Sequence, residues 1–443
     1  MTETRAAAAA AAASTADEDA YAAADASAAY SRGARILSIG IASTGLFTFL
    51  YFAVASHVLP GGEYGAISTL WAVLFVVISV IYRPVEQLLS RTIADRIARG
   101  LAGGHPLRVP LSIQAGFAAL FLAVALSLQG PIEDTFDGSA SLYWIFVGAT
   151  LAYAASYFAR GYLAGHRWFG LYGGLVLFES ISRFCFPVAV AVGIATGQTA
   201  VALGIVAAPC ASLLVVPWAL ARHTAAHDAG APATREGALT MRAGAGFALS
   251  VAVIQLSEQT LLNASVLTVK ATAGSVLAGV VFNALLITRA PLQLFQAVQT
   301  SLLPHLSGLE ATAGREAFAK AIRTTVLAIA GFAGVVALAL LAVGPFAMDV
   351  IFGKGHDYGR LGLAVIALGM GFHLAAGTFN QAALARGQAR AAATAWIACA
   401  AAFLAWMLLP LVNDELVRAE VGYAAAAGLL LALLFGLYRR PRG

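Results

Sequence analysis

Twelve apolar runs of about 20 residues follow one another from Arg35 to the end of this 443-residue chain, and they constrain the fold more than any other feature. A helical run of that length matches the ~30 Å hydrocarbon layer of a bilayer. The runs are too long and too numerous for a signal peptide or a set of core helices. They fall at 36–58, 64–82, 109–128, 140–160, 171–195, 199–220, 243–268, 273–300, 322–344, 361–385, 391–411 and 417–438. Backbone exposed to lipid must satisfy its own hydrogen bonds, so each run is expected to be a helix. The composition agrees: 60% of residues are hydrophobic and 11% charged, against roughly 25% charged in a soluble domain. The expected fold class is an all-α integral membrane protein with about 12 transmembrane helices.

A net charge of +5 invites a nucleic-acid reading, but the basic residues sit in short loops beside the apolar runs. Twenty-one of the 27 lysines and arginines fall on one side of the alternating spans; Lys270, Lys354, Arg360 and Arg418 fall on the other. That asymmetry predicts a multi-pass protein of the cell (plasma) membrane with both termini cytoplasmic, and no nucleic-acid partner.

Residues 1–33 are dominated by alanine, with Asp17, Glu18, Asp19 and Asp25 interspersed. Such a stretch cannot bury a core and is expected to be a disordered cytosolic tail. Helices 1–6 then occupy 34–221 and helices 7–12 occupy 242–443. Between them 222–241, with Gly230, Pro232 and Gly237, reads as a cytosolic inter-lobe linker. Span 2 and span 8 share a faint repeat. Each descends inward and meets a proline, Pro84 or Pro291, before a polar run. Two related six-helix halves are a common transporter plan. Many runs are rich in Ala and Gly, which suits close helix packing.

The stretch 281–305 is the chain's chief anomaly, because it carries polar side chains where lipid is expected. On a helix, Arg289, Gln293, Gln296 and Thr300 fall within roughly 60° of one another. A polar stripe is costly against lipid and should face a protein interior or a wet cavity. On span 7, Gln255, Glu258 and Gln259 share about 100° of arc. Adjacent antiparallel spans could pair Glu258 with Arg289, either as a structural ion pair or as part of a substrate site. On span 5, Glu179 and Arg183 stand at i, i+4, the favourable order for an intrahelical pair, and both readings stay open. Arg83, Glu86, Gln87, Ser90 and Arg91 share a face at the inner end of span 2. They read either as side chains snorkelling to headgroups or as a cytosolic entrance.

His373, inside span 10 near Asn380 and Gln381, is a candidate for proton coupling, since histidine titrates near neutrality. Asn263 and Asn283 read as interhelical hydrogen-bonding groups. Cys185, Cys210 and Cys399 lie far apart within spans and are expected to be buried structural thiols. Neither a metal site nor a disulfide is implied by their spacing. The acidic loop containing Glu133, Asp134 and Asp137 reads as a solvated turn rather than the metal-binding carboxylates of a membrane glycosyltransferase, and the chain is not expected to be an enzyme.

Four stretches together carry a resemblance. Phe352-Gly353, Tyr358, Leu361 to Met370 and Leu384 to Gly387 resemble the span-10 region of the polysaccharide/oligosaccharide flippases of the multidrug/oligosaccharidyl-lipid/polysaccharide (MOP) exporter superfamily. LPGGEYGAISTLW, with Leu59, Gly62, Tyr64 and Gly65, is similar to that family's outer turn after helix 1. SLLPHLSGL, with Leu303, Pro304, Leu306 and Ser307, is similar to the end of its helix 8. YLAGHRWFGLYG, residues 162–173, resembles its loop between helices 4 and 5. The chain departs from the lipid II flippase branch, which has fourteen spans and an arginine cluster in the first lobe. It also has no Asp in helix 1 of the kind that cation-coupled multidrug members use.

The resemblance implies two six-helix lobes around a central cavity, MOP/MATE-like, working by alternating access. It implies a flippase that moves a polyprenyl-phosphate-linked oligosaccharide or polysaccharide precursor from the inner to the outer leaflet. Arg289 first and Arg183 second would meet the phosphate, and Gln255, Gln259, Gln293 and Gln296 would meet sugar hydroxyls. Expected partners are the lipid-linked glycan, membrane lipids and glycan-assembly enzymes. No cofactor is expected, and coupling to a proton or sodium gradient stays open. The alternatives are a cation-coupled multidrug exporter of the same superfamily, a major-facilitator-type transporter, suggested by RTIADRIARG after span 2, a membrane glycosyltransferase, and a non-transporting scaffold.

Overall fold

The computed structural model describes residues 39–40, 42–98, 107–218, 240–289, 314–353, 358–386, 388–409 and 411–439. The expected tail, 1–33, lies outside these residues, as do 222–239 of the expected linker, Gln293, Gln296 and the 301–309 motif. Every regular element among the described residues is helical. Ten helices are long and apolar enough to cross a membrane, and two shorter apolar helices stand at the remaining two places where spans are predicted.

In chain order the helices are α1 (Ala42–Val58), α2 (Gly61–Ile81), α3 (Arg83–Ala98), α4 (Arg108–Ser127), α5 (Gln129–Thr135), α6 (Ala140–Gly165), α7 (Phe169–Ala191) and α8 (Gly197–Ser212). The second half holds α9 (Met241–Ala273), α10 (Ser275–Arg289), α11 (Gly314–Phe352), α12 (Arg360–Ala385), α13 (Ala389–Leu408) and α14 (Glu415–Arg439). Several outrun their apolar runs. The helix made by α2 and α3 continues to Ala94 through the turn residue Tyr82, and α11 is 39 residues long. Hydropathy ends where the bilayer ends, whereas the backbone ladder continues into the interface at no cost.

Local chemistry sets the breaks. Pro84 has no N–H to continue the ladder, and Tyr82 closes α2 with a bond from its own N–H to the Ile78 carbonyl at 3.0 Å. Between α9 and α10 a single residue, Gly274 at φ +87°, reverses the chain; that left-handed conformation favours glycine. Asp414 starts α14, its Oδ1 accepting from the backbone N–H groups of Leu416 and Val417 at 2.9 and 3.2 Å, as an N-cap should.

Several helices pack chiefly on neighbours from the same half of the sequence. In the first, α3 and α8 lie on α6, and α7 lies on α8; in the second, α12 lies between α11 and α14, with α13 against α9 and α14. The seam is made by α2 and α3 against α9, and one continuous apolar core runs through both halves. Small residues allow the closest approaches. A Cβ on Gly161 of α6 would come within 2.8 Å of the Glu86 carbonyl on α3. One on Gly65 of α2 would run into the Ser275 carbonyl of α10. Such contacts hold helices together where lipid offers no hydrophobic drive.

The thiol expectation is corrected at two positions: Cys185 and Cys210 are exposed, and only Cys399 is buried. Helix α7 buries a third of its apolar window and α8 less than half. Both therefore keep a lipid-facing side on which an apolar thiol is as well placed as an alanine.

Candidate substrate-binding site

The first half contains a buried charge network centred on Glu179. Its Oε2 accepts from Arg160 Nη2 at 2.5 Å and from Ser156 Oγ at 3.0 Å. Its Oε1 accepts from Arg183 Nη2 at 3.2 Å. Arg183, only 2% exposed, also donates to Tyr153 OH at 3.0 Å and to Thr48 Oγ1 at 3.1 Å. Its guanidinium lies 4.4 Å from the Trp71 ring centroid. The predicted i, i+4 pair is thus present, but Arg160 is the nearer partner, and two arginines share one carboxylate. Pro187, four residues after Arg183, leaves the Arg183 carbonyl without its helical donor. Gly204 of α8 closes on that carbonyl, where a Cβ would come within 2.8 Å.

The seam carries a second polar group. Arg83 Nη1 donates to Gln255 Oε1 of α9 at 3.2 Å, and Gln255 Nε2 donates to Glu258 Oε2 at 3.2 Å. Glu86, predicted beside Arg83, accepts instead from Tyr172 OH of α7 at 2.8 Å. Gln87 and Arg91 are exposed, and the Arg91 guanidinium stands 5.3 Å from the Phe247 ring of the other half. The face assigned to an entrance therefore divides: Arg83 and Glu86 turn inward, Gln87 and Arg91 outward. Gln259 is 1% exposed and accepts from Asn263 Nδ2 at 2.9 Å on its own helix.

Arg289 ends the described part of α10. Its Nη2 donates to the Leu262 carbonyl at 2.9 Å, while its Nε is buried without a partner. It forms no ion pair with Glu258 among the described residues, which corrects the pairing expected from sequence. The two residues do stand at nearly the same level on adjacent antiparallel helices. With Gly274 as the turn, Arg289 comes level with residues 259–262 of α9. The rotation of α9 then presents the Leu262 backbone to Arg289 and turns Glu258 toward Gln255 and the seam.

Around Arg289, His373, Tyr423 and Glu258 lie within electrostatic reach. His373 is 8% exposed and its Nδ1 has no partner. Its ring lies 5.5 Å from that of Trp396 and 6.5 Å from that of Tyr423. Trp396 Nε1 donates to Asn380 Oδ1 at 3.1 Å. Asn283, expected to bond between helices, accepts from Tyr64 OH across the seam.

Sequence reasoning missed the roles of Arg160, Tyr153 and Trp71, the last of these inside the LPGGEYGAISTLW stretch, and misread Asp137. That residue, at φ +57°, pairs with Lys270 and accepts from Ser275 Oγ, so the acidic loop reaches across to the second half.

No family model and no curated protein matches the sequence. Solved structures do match in shape. An inward-facing multidrug resistance MATE family transporter of the MOP superfamily has TM-score 0.66 and 11% identity, covering 91% of this chain and 97% of that one. This chain has the MATE fold. The Vibrio cholerae MATE transporter VcmN gives TM-score 0.64 and 14% identity, with 93% and 97% covered. A MOP superfamily transporter from Pyrococcus furiosus, described as having a binding pocket of reverse polarity, gives 0.61 and 14%, with 93% and 94% covered. In this MATE-fold chain, Arg83, Gln255 and Glu258 lie on helices that face each other across the two halves, and the Glu179 network lies inside the first half.

Proposed function

We propose that the chain is an alternating-access flippase that carries a polyprenyl-phosphate-linked saccharide from the inner to the outer leaflet of the cell membrane. One observation carries this reading: Arg289 is a cation inside an apolar bundle with no carboxylate within ion-pairing distance among the described residues. A guanidinium has five N–H donors, and among the described residues Arg289 makes one hydrogen bond. A buried charge of that kind calls for an anion, and the phosphate of a lipid carrier supplies one through charge-assisted bonds. Arg183 is the weaker second contact, because Glu179, Tyr153 and Thr48 already occupy both its terminal nitrogens.

In this reading Gln255, together with Gln293 and Gln296, offers neutral groups to sugar hydroxyls, while the lipid tail stays in the bilayer between the halves. Both termini lie on the cytoplasmic face, beside glycan-assembly enzymes that deliver the substrate. The test is flipping of a lipid-linked oligosaccharide in proteoliposomes. Arg289→Ala should abolish it while folded protein remains in the membrane, and undiminished flipping would overturn the assignment. Imposing a proton or a sodium gradient on the same vesicles measures the coupling.

A second reading, export of organic cations coupled to an inward ion gradient, is favoured by the multidrug transporters among the similar structures and by the membrane-embedded Glu258. Counterflow of an organic cation that depends on Glu258 would select it.

A further inference from the structure

One face of α2 is closed at its ends and open in its middle. Tyr64, Ser68, Trp71, Phe75 and Ile78 fall within about 80° of helical arc. Tyr64 and Ser68 are 0% exposed and Ile78 1%, whereas Trp71 and Phe75 between them are partly exposed. This is the face on which Tyr64 bonds Asn283 of the second half, while the Trp71 ring itself packs against Phe52 and Arg183 of the first. The lipid-facing side of α2 is the opposite one, where Val73, Val76, Val77 and Val80 are also partly exposed. An indole and a phenyl ring 5.7 Å apart, tilted by 32°, therefore line an interior gap.

The back of the indole is already taken. The Arg183 guanidinium sits 4.4 Å from its centroid, held by Glu179, Tyr153 and Thr48. Glu179 is shared with Arg160, so the guanidinium behind the ring has no carboxylate to itself. A ring face is attractive to a cation because of its negative quadrupole. With a guanidinium on the other side, a second cation would meet an electron-depleted ring and like-charge repulsion. A neutral ring with an apolar C–H face meets neither penalty.

We propose that Trp71, flanked by Phe75, is a stacking platform for a pyranose ring of the transported saccharide, and that Arg183 behind it makes the platform reject organic cations. The inference rests on the flippase reading and names the groups that would choose a glycan over a cationic drug.

The test uses the full chain in nanodiscs and three probes: polyprenyl pyrophosphate, the same lipid bearing a pyranose trisaccharide, and tetraphenylphosphonium. The saccharide should tighten binding by about tenfold over the bare lipid in the unmodified protein. That increment should vanish in Trp71→Leu and persist in Trp71→Phe. Tetraphenylphosphonium binding should not depend on Trp71. If Trp71→Leu keeps the increment, or if tetraphenylphosphonium binding depends on Trp71, the platform is overturned while the flippase reading stands. If the unmodified protein binds neither lipid, both fall.

Discussion

At the scale of single residues, the buried cations separate by what neutralises them. Glu179 holds Arg160 and Arg183 together inside the first half, and Arg289 in the second half bonds, among the described residues, a backbone carbonyl and no carboxylate. The same chemical change should therefore have opposite consequences at the two places. Glu179→Gln leaves two guanidinium groups facing each other without a counter-charge, and breaking a buried pair costs about 3–5 kcal/mol. Loss of folded protein on size exclusion, or a large drop in thermal stability, is the expected result. Arg289→Gln removes an unpaired charge, so thermal stability should hold or rise while flipping is lost. A stable, active Glu179→Gln protein would show that the network is not a structural clamp.

At the scale of elements, the crossing of α2 with α10 is made by small residues. The Gly65 position allows Ser275 to approach, and a Cβ on Gly279 would stand 3.3 Å from the Gly65 Cα. Gly65→Ala must push α10 away and should cost about 1–3 kcal/mol as overpacking does. Gly62→Ala, where a Cβ meets nothing within 4 Å, should leave thermal stability unchanged. Equal melting temperatures for the two variants would remove the crossing as a point of contact. The LPGGEYG motif was read as a turn. Tyr64 and Gly65 within it serve the seam instead, the one through its bond to Asn283 and the other through its missing side chain.

At the scale of the molecule, the halves meet at both ends of α9. One end joins Asp137 of the first half to Lys270 and Ser275 of the second. The other joins Leu88, Val109 and Ile113 to Gly244 and Arg83 to Gln255. In the proposed alternating-access cycle, one of these contacts must part while the other holds. Cysteines at Asp137 and Ser275, in a background lacking Cys185, Cys210 and Cys399, joined through two disulfides by a bis(methanethiosulfonate) reagent, should stop transport, and a reductant that cleaves those disulfides should restore it. Transport through the linked protein would mean that this end never opens.

The twelve spans were legible because each is a one-dimensional property: bilayer thickness demands a fixed run of apolar residues whatever the neighbours are. The level of Arg289 along α9 was legible for the same reason, since rise per residue converts sequence distance from the Gly274 turn into height. Its partner was not, because helix rotation about its own axis decides whether Glu258 or the Leu262 carbonyl meets it. The meeting of Arg160 with Glu179, of Trp71 with Arg183 and of Asp137 with Lys270 joins residues 19, 112 and 133 positions apart in sequence. Those pairings depend on helix azimuths and crossings that only the packed halves determine. From the sequence alone came the apolar spans and the presence of charges within them; from the tertiary structure came which of those charges, among the described residues, are paired with one another.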